Sequence, residues 1–407
     1  MIWIRFALRN IVKNRRRSLA TTFAVALGFC SISIFHGYTQ ETYRGIAQSI
    51  IHGEGLGHIT LFKRGYNKYG KLEPEKYLFT RDDIRLVRQQ ISTLPEVTLV
   101  TPRLNVSGLV SNGSVSTIFL GQGVVPEDDR TLRGEFLGKQ GGLDAKNPGA
   151  VQLSSGLAGM LDLKVNDTAV ILGNTVDGMV NALDVDILSI FDTGVDATND
   201  KFIRMTLQHA RDFYATKGAD KLVVLLHGLQ SVRVVKRKIQ ALARDNGLDI
   251  EVKTWDELSA FYRQLKTLFD TIFLFIFIIV IIVAAMSVVN TLSMTVLERV
   301  REIGTLRAIG VRRSGIKRMF SVEGGLLGLT GCIAGTIMTI VMYFVMEYMQ
   351  FTFTPPSSTS EVVLSIRLDA VFMLALSGLL ILLALLSAWF PAKRAAKLPI
   401  VDALGHV

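Results

Sequence analysis

The sequence predicts a membrane protein of the α+β class, with four transmembrane helices in a one-plus-three layout and a large α+β domain between the first and the second. Three observations carry this. Four long stretches are free of charge, Ser18–Gln40, Thr271–Leu297, Gly324–Met346 and Ala370–Ala392, and 230 residues separate the first from the second. Each has at least 23 residues, which as a helix rising about 1.5 Å per residue reaches roughly 34 Å, enough for a hydrocarbon core of about 30 Å. Composition agrees, with 49% apolar residues.

Ahead of the first span, residues 1–17 read as an interfacial segment. Trp3, Ile4, Ala7, Leu8 and Ile11 fall at helical spacing and predict an amphipathic helix over Met1–Val12. A lipoprotein-type signal would use Cys30 after Leu27-Gly28-Phe29, but Phe29 is too bulky for the small residue such a site needs, and no A-x-A-like site follows. The first span, 18–40, is therefore expected to stay as an anchor.

Orientation follows from the basic flanks. Arg5, Arg9, Lys13, Arg15, Arg16 and Arg17 precede the first span, and Arg299, Arg301, Arg307, Arg312, Arg313, Lys317 and Arg318 lie between the second and third. Lys393, Arg394 and Lys397 follow the fourth, whereas the loop between the third and fourth offers only Arg367. Positive flanks resist translocation, which places both termini and the loop 298–318 in the cytoplasm and residues 41–266 outside. The net charge of +10 is then explained by topology and by membrane lipids with anionic headgroups rather than by nucleic acid.

In the outer domain, turn-rich His52–Gly57 leads into a strand at His58–Phe62, and a helix follows at Arg81–Leu94. Leu104–Pro126 is as long as a span and free of charge, but it is rich in Ser, Gly and Asn. Its Asn112-Gly113 between alternating segments predicts a tight hairpin joining strands near Thr98–Val110 and Ser114–Val124. Residues 127–199 read as a mostly β insert. A β-α-β rhythm follows: Phe202–Thr206, helix Leu207–Thr216, Lys221–Leu226, helix Ser231–Arg244 and Leu248–Val252. A last helix, Asp256–Thr267, is expected to run unbroken into the second span as a rigid strut.

Several chemistries are set aside. Cys30 and Cys332 both fall inside spans, so the outer domain rests on its own core without disulfides. His52 and His58 lack nearby Cys or clustered carboxylates, and are read as surface histidines rather than metal ligands. Gly173 and Gly178 have the glycine spacing of a phosphate loop, but Met179 stands where its lysine belongs. With no positioned nucleophile either, the chain is expected to be non-catalytic.

The sharpest local signal is Met294–Gly310. Val300, Ile303 and Leu306 lie close to one helical face, and Arg299, Arg301, Glu302 and Arg307 offer charge on the others. This run, ending in Ile303-Gly304-Thr305-Leu306-Arg307-Ala308-Ile309-Gly310, resembles the coupling segment of FtsX/MacB-superfamily (type VII) ABC transporter permeases. Ala7-Leu8-Arg9-Asn10 with Asn14–Ser18, Glu323-Gly324, and Pro391-Ala392 with Arg394-Ala395-Ala396 and Asp402-Ala403-Leu404 resemble other signatures of that family, in the same order.

The resemblance implies a permease that works with a second copy or a paralogue and with a cytoplasmic ABC ATPase dimer, which binds the ATP and magnesium; this chain itself takes no cofactor. It implies coupling contacts from Glu298, Arg299, Arg301, Glu302, Ile303, Leu306, Arg307, Ala308 and Gly310. It further implies a porter-like part (41–126 and 200–266) carrying a sabre-like insert (127–199), spans 267–297, 319–347 and 369–392, a periplasmic loop 348–368 and a cytoplasmic tail 393–407. In LolC/LolE-like or MacB-like members, ATP-driven closure acts on cargo at the outer face of the inner membrane, which suits spans with no charge to line an aqueous path. The cargo class is then lipoprotein or lipid passed to a periplasmic carrier, or periplasmic cargo for an efflux adaptor, with an FtsX-like signalling module as a further reading. Gly324, Gly328, Gly331 and Gly335 are expected to pack helices closely. Glu323, at the edge of the third span, is either a contact to the coupling region or an interface residue.

Overall fold

A computed structural model of the chain describes residues 7, 9, 10, 13, 15–70, 72–137, 142–144, 146–354, 361–397 and 399. The expected interfacial helix lies largely outside the described residues, as do Asp402, Ala403 and Leu404. The chain folds as two compact units: Met1–Tyr43, Leu265–Phe351 and Val363–Val407 form one, and Arg44–Gln264 with Thr352–Val362 the other. In chain order the main helices are α1 (Arg15–Gln48), α2 (Arg81–Ile91), α3 (Pro126–Arg133), α4 (Leu207–Tyr214), α5 (Val232–Asp245), α6 (Ala260–Glu298), α7 (Val300–Ala308), α8 (Arg313–Met349) and α9 (Ala370–Lys397). The strands of the large sheet are β1 (Ile59–Lys63), β2 (Val97–Ser111), β3 (Ser116–Val124), β4 (Ala150–Ser154), β5 (Thr168–Asn174), β6 (Val180–Phe191), β7 (Phe202–Thr206), β8 (Lys221–Leu226) and β9 (Ile250–Thr254).

In the second unit the strand order is β3-β7-β4-β6-β5-β2-β8-β1-β9, and β2 also pairs with β3. The first six strands therefore close into a barrel, which removes their edges. β2 is long enough to serve twice: Val97–Arg103 pair with β8 in the open sheet, and Leu104–Ser111 pair with β3 in the barrel. The barrel interior is filled by Val106, Phe119, Val151, Ile171, Val185 and Met205, with Phe213 of α4 packed against them. On the open sheet, Leu61, Val224 and Val252 pack against Val87 and Ile91 of α2 and Val235 and Ile239 of α5. Val223 and Leu225, on the opposite face of β8, join Ile51, Leu132 and Trp255 in a further cluster. All six residues of β8 are consequently buried, as both faces of a central strand are covered.

The division between the two cores differs from the expected borders at 127 and 199. The hairpin β2–β3 and β7 belong to the barrel, because β3 and β7 pair in parallel from Leu120↔Phe202 to Val124↔Thr206. That pairing joins segments some eighty residues apart and leaves no mark on local pattern. The hairpin turn is also longer than a two-residue loop: Ser111 pairs with Ser116. Asn112 Oδ1 accepts from the N–H groups of Ser114 and Val115 at 2.9 and 2.7 Å, with Gly113 at φ +93°.

The expected unbroken strut is interrupted. A short helix, Trp255–Leu258, ends at Ser259, whose backbone is extended (φ −85°, ψ 103°), and α6 begins at Ala260. Ser259 Oγ accepts from the Tyr262 N–H at 3.2 Å, as a helix-capping serine does. The Arg263 guanidinium donates to the Asp256 carbonyl at 3.0 Å and to that of Glu257, satisfying acceptors that the break exposes.

In the first unit, α1, α6, α8 and α9 are each long and apolar enough to cross a membrane. Their inner faces meet through Val25, Phe29, Ala284, Leu376 and Leu380 in one cluster and Leu292, Phe320, Leu327, Ala384 and Ala388 in another.

Candidate functional site

The junction between α6 and α8 is built around α7. Val300 and Ile303 are buried, and Ile303 and Leu306 pack against Ile316, Phe320 and Ala392. Two of the apolar residues expected to offer coupling contacts therefore anchor α7 to its own bundle. Arg299, at the N-cap of α7, is also buried; its Nε donates to Glu302 Oε2 at 2.7 Å, and its Nη1 lies 3.9 Å from Glu323 Oε2. Glu323 is 4% exposed and so faces the start of α7. Glu298 and Glu302 take ion pairs from the N-terminal segment, Glu298 with Arg17 and Glu302 with Lys13 at 3.8 Å. Local pattern holds no sign of these pairs, since their partners stand some 280 residues away.

Outward on this segment are Arg301, Glu302, Thr305, Ala308, Ile309 and Gly310, with Leu306 and Arg307 half-buried. Ile309 is 77% exposed, and Gly310, at φ +102°, turns the chain toward α8. An exposed large apolar side chain at the C-cap of a short helix that also exposes Arg301 in its first turn gives a mixed surface of the kind proteins use for docking.

Gly324, Gly328, Gly331 and Gly335 of α8 lie at close approaches inside the bundle. A Cβ on Gly324 or Gly328 would stand 2.5 Å from Ala388 Cβ or 2.8 Å from Ala384 Cβ of α9, and one on Gly331 or Gly335 would meet Val25 or Phe29 of α1 at 2.6 and 2.8 Å. The stripe thus fixes α8 between α1 and α9.

The second unit holds a buried polar row on the barrel exterior. Arg103 Nη2 donates to Asp129 Oδ1 at 2.6 Å, and Arg133 Nε donates to both Asp129 oxygens at 3.0 Å, so α3 is pinned to β2. Arg204 Nη1 donates to Gln152 Oε1 at 3.1 Å, and its guanidinium lies 4.3 Å from the Phe191 ring centroid. Burial opposes ionisation of Asp129, but Arg133, Arg103 and Arg204 outweigh it and hold the carboxyl below the usual range.

The reading of His58 as a surface histidine is overturned: it is 4% exposed, and its Nδ1 accepts from the Leu226 N–H at 3.2 Å. Burial, with a smaller contribution from His52, pulls its pKa down to about 4. His52 Nδ1 lies 2.6 Å from the Leu132 carbonyl. His209 is likewise buried. Among the described residues no three His, Cys, Asp or Glu side chains gather in a metal-binding group.

Comparison with known proteins decides the family. The description MacB-like periplasmic core domain matches residues 18–242, and FtsX-like permease C-terminal matches residues 274–400. The chain belongs to the FtsX/MacB superfamily of ABC transporter permeases. Lipoprotein-releasing system transmembrane protein LolE of Haemophilus influenzae is 23% identical over 398 residues, which cover 94% of this chain and 91% of that protein. Lipoprotein-releasing system transmembrane protein LolC of Xylella fastidiosa is 23% identical over 303 residues, 70% of this chain and 72% of that one. Macrolide export ATP-binding/permease protein MacB 1 of Aeromonas hydrophila is 34% identical over 122 residues, 30% of this chain and only 17% of that protein. This FtsX/MacB permease is a multi-pass inner-membrane protein with a periplasmic domain, and its FtsX-like segment takes in α7 and the whole glycine stripe.

Proposed function

We propose that this permease is the membrane subunit of an ATP-driven complex that moves a lipophilic cargo, lipoprotein or lipid, at the outer face of the inner membrane by transmitting force from the cytoplasm. The observation that carries this reading is the end-to-end relation to LolE, a protein named for lipoprotein release. Spans without internal charge favour force transmission over an aqueous pore. Basic flanks favour a cytoplasmic side for both termini and α7, where in this reading a separate ATPase dimer binds ATP and magnesium and docks on Arg301, Ala308 and Ile309. A second permease, identical or paralogous, and a periplasmic carrier complete the assembly. The test is reconstitution of the permease with its ATPase in vesicles holding a triacylated lipoprotein. ATP-dependent appearance of that lipoprotein in the soluble fraction is expected, and its retention alongside active ATP hydrolysis sinks the cargo assignment.

A MacB-like efflux role is favoured by the 34% identity to MacB 1 over 122 residues. Crosslinking of the barrel to a membrane-fusion adaptor, without lipoprotein release, selects it.

A further inference from the structure

The open sheet ends at β9, whose outer edge pairs with no described strand. Arg64 N–H donates to the Asp249 carbonyl at 3.1 Å and Trp255 N–H to that of His58 at 3.2 Å, while Thr60 pairs with Lys253 and Phe62 with Glu251. In an antiparallel ladder the bonded pairs alternate, so Glu251 and Lys253 turn their main-chain groups to β1, and Ile250, Val252 and Thr254 turn theirs away. The Ile250 N–H is used by the Leu248 carbonyl at 3.0 Å and the Thr254 N–H by Glu257 Oε2 at 3.1 Å. The Val252 N–H and carbonyl and the Ile250 carbonyl remain on an edge that no described strand pairs.

A groove of about 1020 Å³ runs beside this edge, walled by Lys236, Gln240 and Arg244 of α5. Its three carboxylates are engaged: Asp249 with Arg64 at 2.7 Å, Glu251 with Lys253 at 3.1 Å and Glu257 with Lys236 at 2.6 Å. Four cations line the groove against those three, Arg244 being the fourth. A second copy paired edge to edge would bring its α5, with Arg233, Lys236, Arg237, Lys238 and Arg244 against the single acid Asp245, toward an equally basic helix. Like charges so placed repel. A strand with carboxylates fits both the free main-chain groups and the charge.

We propose that β9 is a strand-addition site for an extended acidic segment of a partner polypeptide, which pairs along Val252 and sets a carboxylate against Arg244. This holds independently of the cargo reading. The pairing supplies main-chain affinity and the helix flank supplies selectivity.

The experiment uses the full chain in detergent and a short fluorescent peptide of alternating glutamate and valine, followed by anisotropy. Saturable binding is expected below about 1 mM, weakened about ten-fold by Arg244→Glu, a loss that matches removal of one charged contact. The same peptide with its backbone nitrogens methylated is expected not to bind, a control that needs no folded variant. Equal binding of a lysine and valine peptide, unchanged binding of the methylated peptide, or no binding at all would overturn the proposal. So would spontaneous crosslinking of Lys253→Cys chains to each other at β9, which would assign the edge to a second copy.

Discussion

Arg299 Nη1 lies 3.9 Å from Glu323 Oε2, and both side chains are buried, so the first residue before α7 is tied to α8 by opposite charge. Removing one member of such a pair strands the other away from water. Arg299→Ala is expected to lower stability by about 2–3 kcal/mol, and Arg299→Met with Glu323→Gln to recover most of it. Denaturant unfolding in detergent reads both; equal losses in the single and double variants would refute the coupling.

Gly328 and Ala384 form a second tight contact. Gly328→Ala sets the new Cβ 2.8 Å from Ala384 Cβ, and overpacking of this kind costs about 1–3 kcal/mol. Adding Ala384→Gly should restore part of the loss. At Gly378 an added methyl group would meet nothing within 4 Å, so Gly378→Ala is expected to leave stability unchanged or raise it, as alanine does in helices. Thermal unfolding that ranks the two single variants the other way contradicts the packing assignment.

His58 gives the second unit a pH dependence. Its pKa is about 4 in the fold against about 6.5 when unfolded, so between these values the unfolded chain binds the extra proton. Stability is full above about pH 6.5 and falls as pH drops toward 4, by about 2–3 kcal/mol. His58→Gln, which can still accept from Leu226, should flatten that part of the curve; a profile identical to the parent's would rule out His58 as the cause.

Asp129 acts at lower pH. Its carboxyl is held below its ordinary value, so the stability it contributes is present above about pH 4, the unfolded value, and is lost as pH falls through the folded one. Asp129→Asn leaves Arg103 and Arg133 without their shared carboxylate and should cost about 3–5 kcal/mol. Acid titration of tryptophan fluorescence, with Trp255 in the cluster that includes Leu132 of α3, follows both effects.

At the proposed docking face, Ile309→Asp is expected to abolish co-isolation of the ATPase with no change in melting temperature, because the side chain is 77% exposed. Glu302→Gln should leave co-isolation intact, since that carboxylate is held by Arg299 and Lys13. The opposite pattern would move the docking face to the acids.

Much of the fold is legible in local pattern. Phe202–Thr206 and Lys221–Leu226 have the bounds the sequence predicts, because short apolar runs between turn signals define a strand without reference to its partner. Ser259 is not legible as a break, since one serine in an otherwise helical run is as compatible with a helix as with a cap until Tyr262 and Arg263 are placed. Nor is the burial of His58, which depends on β8 arriving beside it from residue 226.

The sequence alone determined four apolar spans, their one-plus-three spacing and the cationic flanks, because hydrophobic length and charge act on the membrane residue by residue. Only the tertiary structure decided that β2 serves both a closed barrel and an open sheet, and that Lys13, Arg17, Arg299 and Glu323 converge on the junction of α6 and α7. Those are pairings across long stretches of chain, and they are selected by which distant partners satisfy buried hydrogen bonds and charges together, a condition that no window of neighbouring residues contains.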